Sequence, residues 1–144
     1  MKWTVIKGIL AGVIFVSAGY WATVLSWVTD LNYNTLVSGV AFITNIGIGF
    51  LLSDKSYGKL LTAWALSITS GFVTFLIYAI GGFLDIWDFI LFPNDDIIHA
   101  RLWYASIPIF LDILFYFFFA IIMAVGVTAI KKAHVKKSNK DSGL

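Results

Sequence analysis

The sequence contains no cysteine, no glutamate and no glutamine, and only two histidines and two prolines among its 144 residues. Without cysteine there is no disulfide, no thiolate zinc or iron–sulfur site and no thiol nucleophile. Without glutamate, every side-chain carboxylate is one of eight aspartates. The stock of acid–base groups and metal ligands is therefore thin. Charge is scarce as well: 12% of residues are charged, against roughly 25% in a soluble domain.

What replaces charge is apolar and aromatic mass, at 60% and 17% of residues. A soluble core of this size has too little interior to hide it. The composition predicts an all-α integral membrane protein, a four-transmembrane-helix bundle forming one domain over residues 1–130. The spans are expected near 6–28, 36–53, 60–81 and 105–130, and a basic tail fills 131–144. The first run follows Lys2 and Lys7 and outlasts the 7–15 apolar residues of a signal peptide, so it is read as a span.

One connection is unusual. Residues 83–101 include Phe83, Leu84, Ile86, Trp87, Phe89 and Phe92, interrupted by Asp85 and Asp88. That mixture is too apolar for solvated coil and too short to cross about 30 Å of hydrocarbon and return. It reads as an outer interfacial segment between the third and fourth spans, with aromatics at headgroup level. Asn94 is a candidate N-cap, and Asp95 and Asp96 fall in the first turn that follows, where the helix dipole favours them. Pro108 is expected to break or kink that helix and free the Tyr104 carbonyl.

Lysine distribution sets the expected orientation. Lys2, Lys7, Lys55, Lys59, Lys131, Lys132, Lys136, Lys137 and Lys140 fall on one side of a four-span topology, and Arg101 alone on the other. By the positive-inside rule both termini are cytoplasmic, and a cell membrane is the expected location.

Five sets of residues invite a functional reading. Asp112 is ionisable within the fourth span, where such residues are functional candidates by default. Counted back from Lys131, however, it lies roughly 28 Å along the helix, near the far edge of the core. An interfacial hydrogen bond or a partner contact competes there with a proton or ion site. Asn45 stands at the middle of the second span and cannot titrate; interhelical bonding is its plain reading, conduction the sharper one. Asp95, Asp96 and His99 make a carboxylate–histidine cluster at helical spacing. As a metal site it is short of ligands, and a capped helix start explains it equally. Gly8, Gly12, Gly19, Gly39, Gly47 and Gly71 are candidate helix-packing positions, Gly8 and Gly12 forming a GxxxG. Lys131, Lys132, Lys136 and Lys137 read as an anchor to the lipid surface.

No catalytic constellation, phosphate-cradling loop, haem-ligating pair or nucleic-acid-binding pattern is present, and no cofactor is expected. The expected partners are membrane lipids together with other membrane subunits or further copies of the chain. The function this favours is an accessory or structural subunit of a larger membrane complex. The alternative is a small homo-oligomeric transporter, channel or holin-like pore in which Asp112 and Asn45 share a cavity.

Overall fold

A computed structural model describes residues 2–29, 32–84 and 96–141, with the backbone alone described for 27, 28, 33, 82, 83, 96–114, 116 and 139–141. Four helices account for nearly all of them: α1 (Lys2–Val28), α2 (Tyr33–Leu52), α3 (Tyr57–Phe83) and α4 (Asp96–Asp141). Each contains a stretch long and apolar enough to cross a membrane. In hydrocarbon a backbone must satisfy its own N–H and C=O groups, and a helix does so within one segment. Long apolar runs therefore settle into helices despite many β-branched residues.

Local chemistry sets the ends of α2. The Asn32 side chain accepts from the Thr35 N–H at 3.2 Å, capping the helix three residues earlier than the apolar run begins. At the other end the Ser53 N–H donates to the Gly49 carbonyl at 3.1 Å, and Ser53 breaks to extended backbone.

The order of the helices around the bundle is α1–α2–α4–α3. α1 packs against α2 and α3, α4 packs against the same two, and α2 and α3 barely touch. Consecutive helices usually stand side by side, but α2 and α3 sit on a diagonal. Helices 8–10 Å apart place diagonal axes roughly 11–14 Å apart. The five Cα–Cα steps from Leu52 to Tyr57, at about 3.8 Å each, can cover that distance. The 53–56 connector therefore crosses one end of the bundle.

Buried positions follow helical stripes. On α2 they are Val37, Ala41, Asn45, Ile48 and Leu52; on α3, Leu60, Ala63 and Ser67; on α4, Phe117, Ala120, Ala124 and Thr128. Steps of three and four keep one face inward. The stripes of α3 and α4 carry small residues at their centres, which lets α1 and α2 approach. A Cβ on Gly8 would lie 2.6 Å from the Ala63 carbonyl oxygen and 2.8 Å from Leu66 Cβ. One on Gly12 would collide with Ser70 Oγ and the Ser67 carbonyl, and would lie 2.6 Å from the Gly71 nitrogen. Close backbone approach of this kind is how membrane helices gain packing without a hydrophobic drive between them.

Towards the opposite end the filling becomes aromatic. Phe15 and Phe117 rings lie 4.9 Å apart, Tyr20 stacks on Tyr78 at 4.4 Å, and the Tyr78 hydroxyl donates to Ser17 Oγ at 3.2 Å. The outer surface is strongly apolar: Phe42, Ile43, Phe115, Phe118 and Ile122 are all exposed.

Two features differ from the expectation. α4 runs without interruption from Asp96 through Pro108 to Asp141, not from 105 to 130 with a separate surface helix before it. A proline removes one N–H donor and crowds the preceding turn; in an apolar medium, where a broken helix leaves more groups unpaired, helices tolerate it. Past Ile130 the chain expected as a tail stays helical for eleven more residues, its lysines four apart or adjacent. Residues 85–95, the centre of the expected interfacial segment, lie outside the described residues, and 96–101 begin α4.

Candidate functional site

The polar groups within the spans are the first place to look for chemistry. Asn45 is buried, 5% exposed, on the inward stripe of α2. Its Nδ2 donates to the Ala41 carbonyl at 2.8 Å, while its Oδ1 has no donor. Rotating the amide would set Oδ1 against the carbonyl and leave Nδ2 idle, so the assignment stands. One turn further along, Gly49 faces α4: a Cβ there would lie 2.7 Å from Met123 Cβ. Asn45 thus points the same way, toward the α2–α4 seam.

Asp112 lies in α4, but its side chain is outside the described residues, as are those of Asp96 and His99, and Asp95 is outside them altogether. Among the described residues no group of three potential metal ligands converges. Of the six glycines singled out, Gly8, Gly12 and Gly71 meet a neighbouring helix; a Cβ on Gly71 would lie 3.1 Å from the Phe117 ring. Gly19, Gly39 and Gly47 face open space to 4 Å. Gly39 does line an open groove of about 450 Å³ with Asn32, Thr35, Leu36, Val40 and Ile43.

The best-formed polar arrangement lies elsewhere, at the end of the bundle where the connector crosses. α1 starts there, α2 ends, α3 starts, and α4 leaves its apolar stretch. The connector is tied to both helices it passes between. On the α4 side, the Asp54 N–H donates to Thr128 Oγ1 at 3.2 Å, and Lys131 Nζ donates to Ser53 Oγ at 2.6 Å. The Ser53 hydroxyl in turn donates to the Phe50 carbonyl at 2.7 Å. On the α1 side, Lys7 Nζ approaches Asp54 Oδ2 at 4.0 Å. Lys132 caps the assembly with its ammonium 3.8 Å from the centre of the Tyr57 ring. Beneath this layer Leu52, Ser53, Leu60 and Thr128 are buried, so this end is closed by packed side chains.

No protein-family model matches the chain, and neither does any curated protein or solved structure.

The electrostatics of this end are one-sided. Lys7 and Asp54 are each about a quarter to a third exposed (31% and 23%), and a pair so placed contributes only about 0.2–1 kcal/mol. The anchors of Lys131 and Lys132 are a hydroxyl and an aromatic face, neither of which neutralises them. Sequence inspection finds Lys131 and Lys132 as a boundary, but it misses Ser53, Asp54 and Thr128. Asp54 had a readable signal, since it is the lone aspartate among the lysines of the first three helices at this end. Ser53 and Thr128 had none: their partners lie 78 and 74 residues away.

Proposed function

We propose that this chain is an accessory or structural subunit of a larger membrane complex, set in the cell membrane with its lysine-rich end in the cytoplasm. One observation carries the reading: most described hydroxyls within the apolar stretches turn onto their own helices, and Ser70 and Tyr78 bond to α1. Thr23, Ser26, Thr44, Ser67, Thr69 and Thr74 each donate to a carbonyl three or four residues back. A route for ions or polar solutes is lined by polar groups converging on a common lumen, and a hydroxyl whose proton is given to its own helix has no donor left to offer one. The apolar outer faces of all four helices leave ample surface for neighbours in the membrane. The orientation rests on the positive-inside rule, and a single cysteine in place of Lys59 should be labelled only from the cytoplasmic face.

The test is mass. Purified in mild detergent, the chain should carry different polypeptides in fixed stoichiometry. A pure homo-oligomer would overturn the proposal in favour of the second reading, a small homo-oligomeric transporter or channel. That reading has its own observation, the unpartnered Asn45 Oδ1 at the centre of a span. It predicts that Asp112→Asn assembles normally and loses transport, whereas a bonding role for Asp112 tolerates Asn and not Leu.

A further inference from the structure

We propose that the lysine-rich end of the bundle is a docking surface for anionic phospholipid headgroups, centred on Lys131 and Lys132. Nine lysines, from Lys2 to Lys140, and two aspartates, Asp54 and Asp141, fall at this end. Asp54 is engaged with Lys7, and Asp141 stands at the far tip of α4, so neither offsets the central pair.

Placement comes next. From Ile113 to Ile130 α4 carries no charged residue, which sets the polar boundary of the membrane at Lys131, level with headgroup phosphates. Both ammonium groups are held there by uncharged partners, Lys131 on Ser53 Oγ and Lys132 on the Tyr57 ring. Neither partner brings an opposing charge, and each contact restricts a long side chain in advance. A phosphodiester arriving at this rim therefore meets cations whose ordering cost has largely been met by the fold.

The helix beyond strengthens the case. Residues 131–138 are exposed on all sides, and Lys132, Lys136 and Lys140 recur every four residues on one face with Lys137 beside them. At 1.5 Å per residue, Lys136 stands roughly 6 Å past Lys132, within the ~8 Å screening length at physiological salt. Lys140 stands roughly 12 Å past it, beyond that length. The lysines are thus graded in reach, with the anchored pair closest to the lipid. This surface needs no partner subunit, so it stands or falls independently of the proposed function.

The probe is the full chain in detergent, presented with equal amounts of phosphatidylglycerol and phosphatidylcholine and weighed intact by native mass spectrometry. Phosphatidylglycerol should be retained preferentially. A surface lysine contributes about 1 kcal/mol to anionic-membrane attraction, or roughly fivefold. Lys131→Gln with Lys132→Gln should therefore lower the preference about 25-fold, while the double Arg variant keeps it and Lys140→Gln changes it least. Equal retention of the two lipids, or an unchanged preference in the double Gln variant, overturns the proposal. Displacement of phosphatidylglycerol by millimolar inorganic phosphate also overturns it, marking a site for free anions. Should the Gln variant lose its helical melting transition, the wild type decides: its preference must collapse as salt approaches about 1 M, and persistence there refutes the idea.

Discussion

Replacing Gly12 by alanine adds one carbon, and the surrounding geometry says where that carbon must go. It collides with Ser70 Oγ and the Ser67 carbonyl oxygen and lies 2.6 Å from the Gly71 nitrogen. Two of these three atoms are backbone, locked in α3. The third belongs to a hydroxyl already bonded to the Ile9 carbonyl at 3.2 Å. No rotamer change relieves such a contact; α1 has to withdraw from α3 by about an ångström. That loosens Ala11, Ala63 and Ser67, all almost fully buried. Overpacking of this kind costs about 1–3 kcal/mol, against about 1 kcal/mol of helix propensity gained when Gly becomes Ala. The balance is a loss, and at about 2–4 °C per kcal/mol for a chain near this length it should appear as a lower melting temperature.

Gly47→Ala supplies the contrast. Nothing lies within 4 Å of its Cβ position, so the propensity gain is unopposed and the melting temperature should hold or rise. Circular dichroism melts of the two variants in one detergent read the difference directly, because chemistry and host helix type are matched. If Gly12→Ala melts as high as Gly47→Ala, α1 and α3 are not in backbone contact, and the packing described here is wrong.

Other outcomes follow from single contacts. Thr128→Val keeps shape but removes the acceptor of the Asp54 N–H; it should cost about 0.5–1.5 kcal/mol for a part-buried hydrogen bond lost and speed amide exchange in residues 53–56 before the helices. Asn45→Leu deletes the buried Oδ1 that has no donor at the expense of one local bond, so stability should be unchanged or rise by about 1 kcal/mol; a clear drop in melting temperature would mean that Oδ1 has a partner after all. Trp64→Phe removes the indole N–H that donates to the Phe117 carbonyl at 3.3 Å and should lower stability by about 1 kcal/mol, as read by the same melts.

The number and type of helices were legible because a bilayer constrains both: a span needs about 20 apolar residues and must be helical. Direction around each helix was less so. Gly8, Gly12 and Gly19 share one stripe of α1, yet only the first two touch α3. At the height of Gly19 the stacked Tyr20 and Tyr78 rings occupy the interface instead, and no local pattern announces that exchange. Gly47 and Gly49 are two residues apart and hence on opposite sides of α2. Which of them faces α4 depends on the order of helices around the bundle, and Gly49 was passed over. That order was itself hidden, since a four-residue connector serves neighbours and diagonals alike. Helix and expected span end at different places in α4: lysines are read as marking where lipid stops, and a helix does not have to stop there.

The diagonal crossing gives the polar end its structural meaning. α2 and α3 hardly meet along their lengths, so helix packing alone does little to hold them together across the bundle. The connector supplies that link, and its bonds to Thr128 and Lys131 on one side and Lys7 on the other extend it to the remaining two helices. Four helices that touch mainly as a ring can shear like a hinged square; a member fixed at all four corners resists it. Among the described residues, contacts toward the opposite end are aromatic, such as Tyr20–Tyr78 and Phe15–Phe117, and rings adjust more readily than backbone seated on glycine.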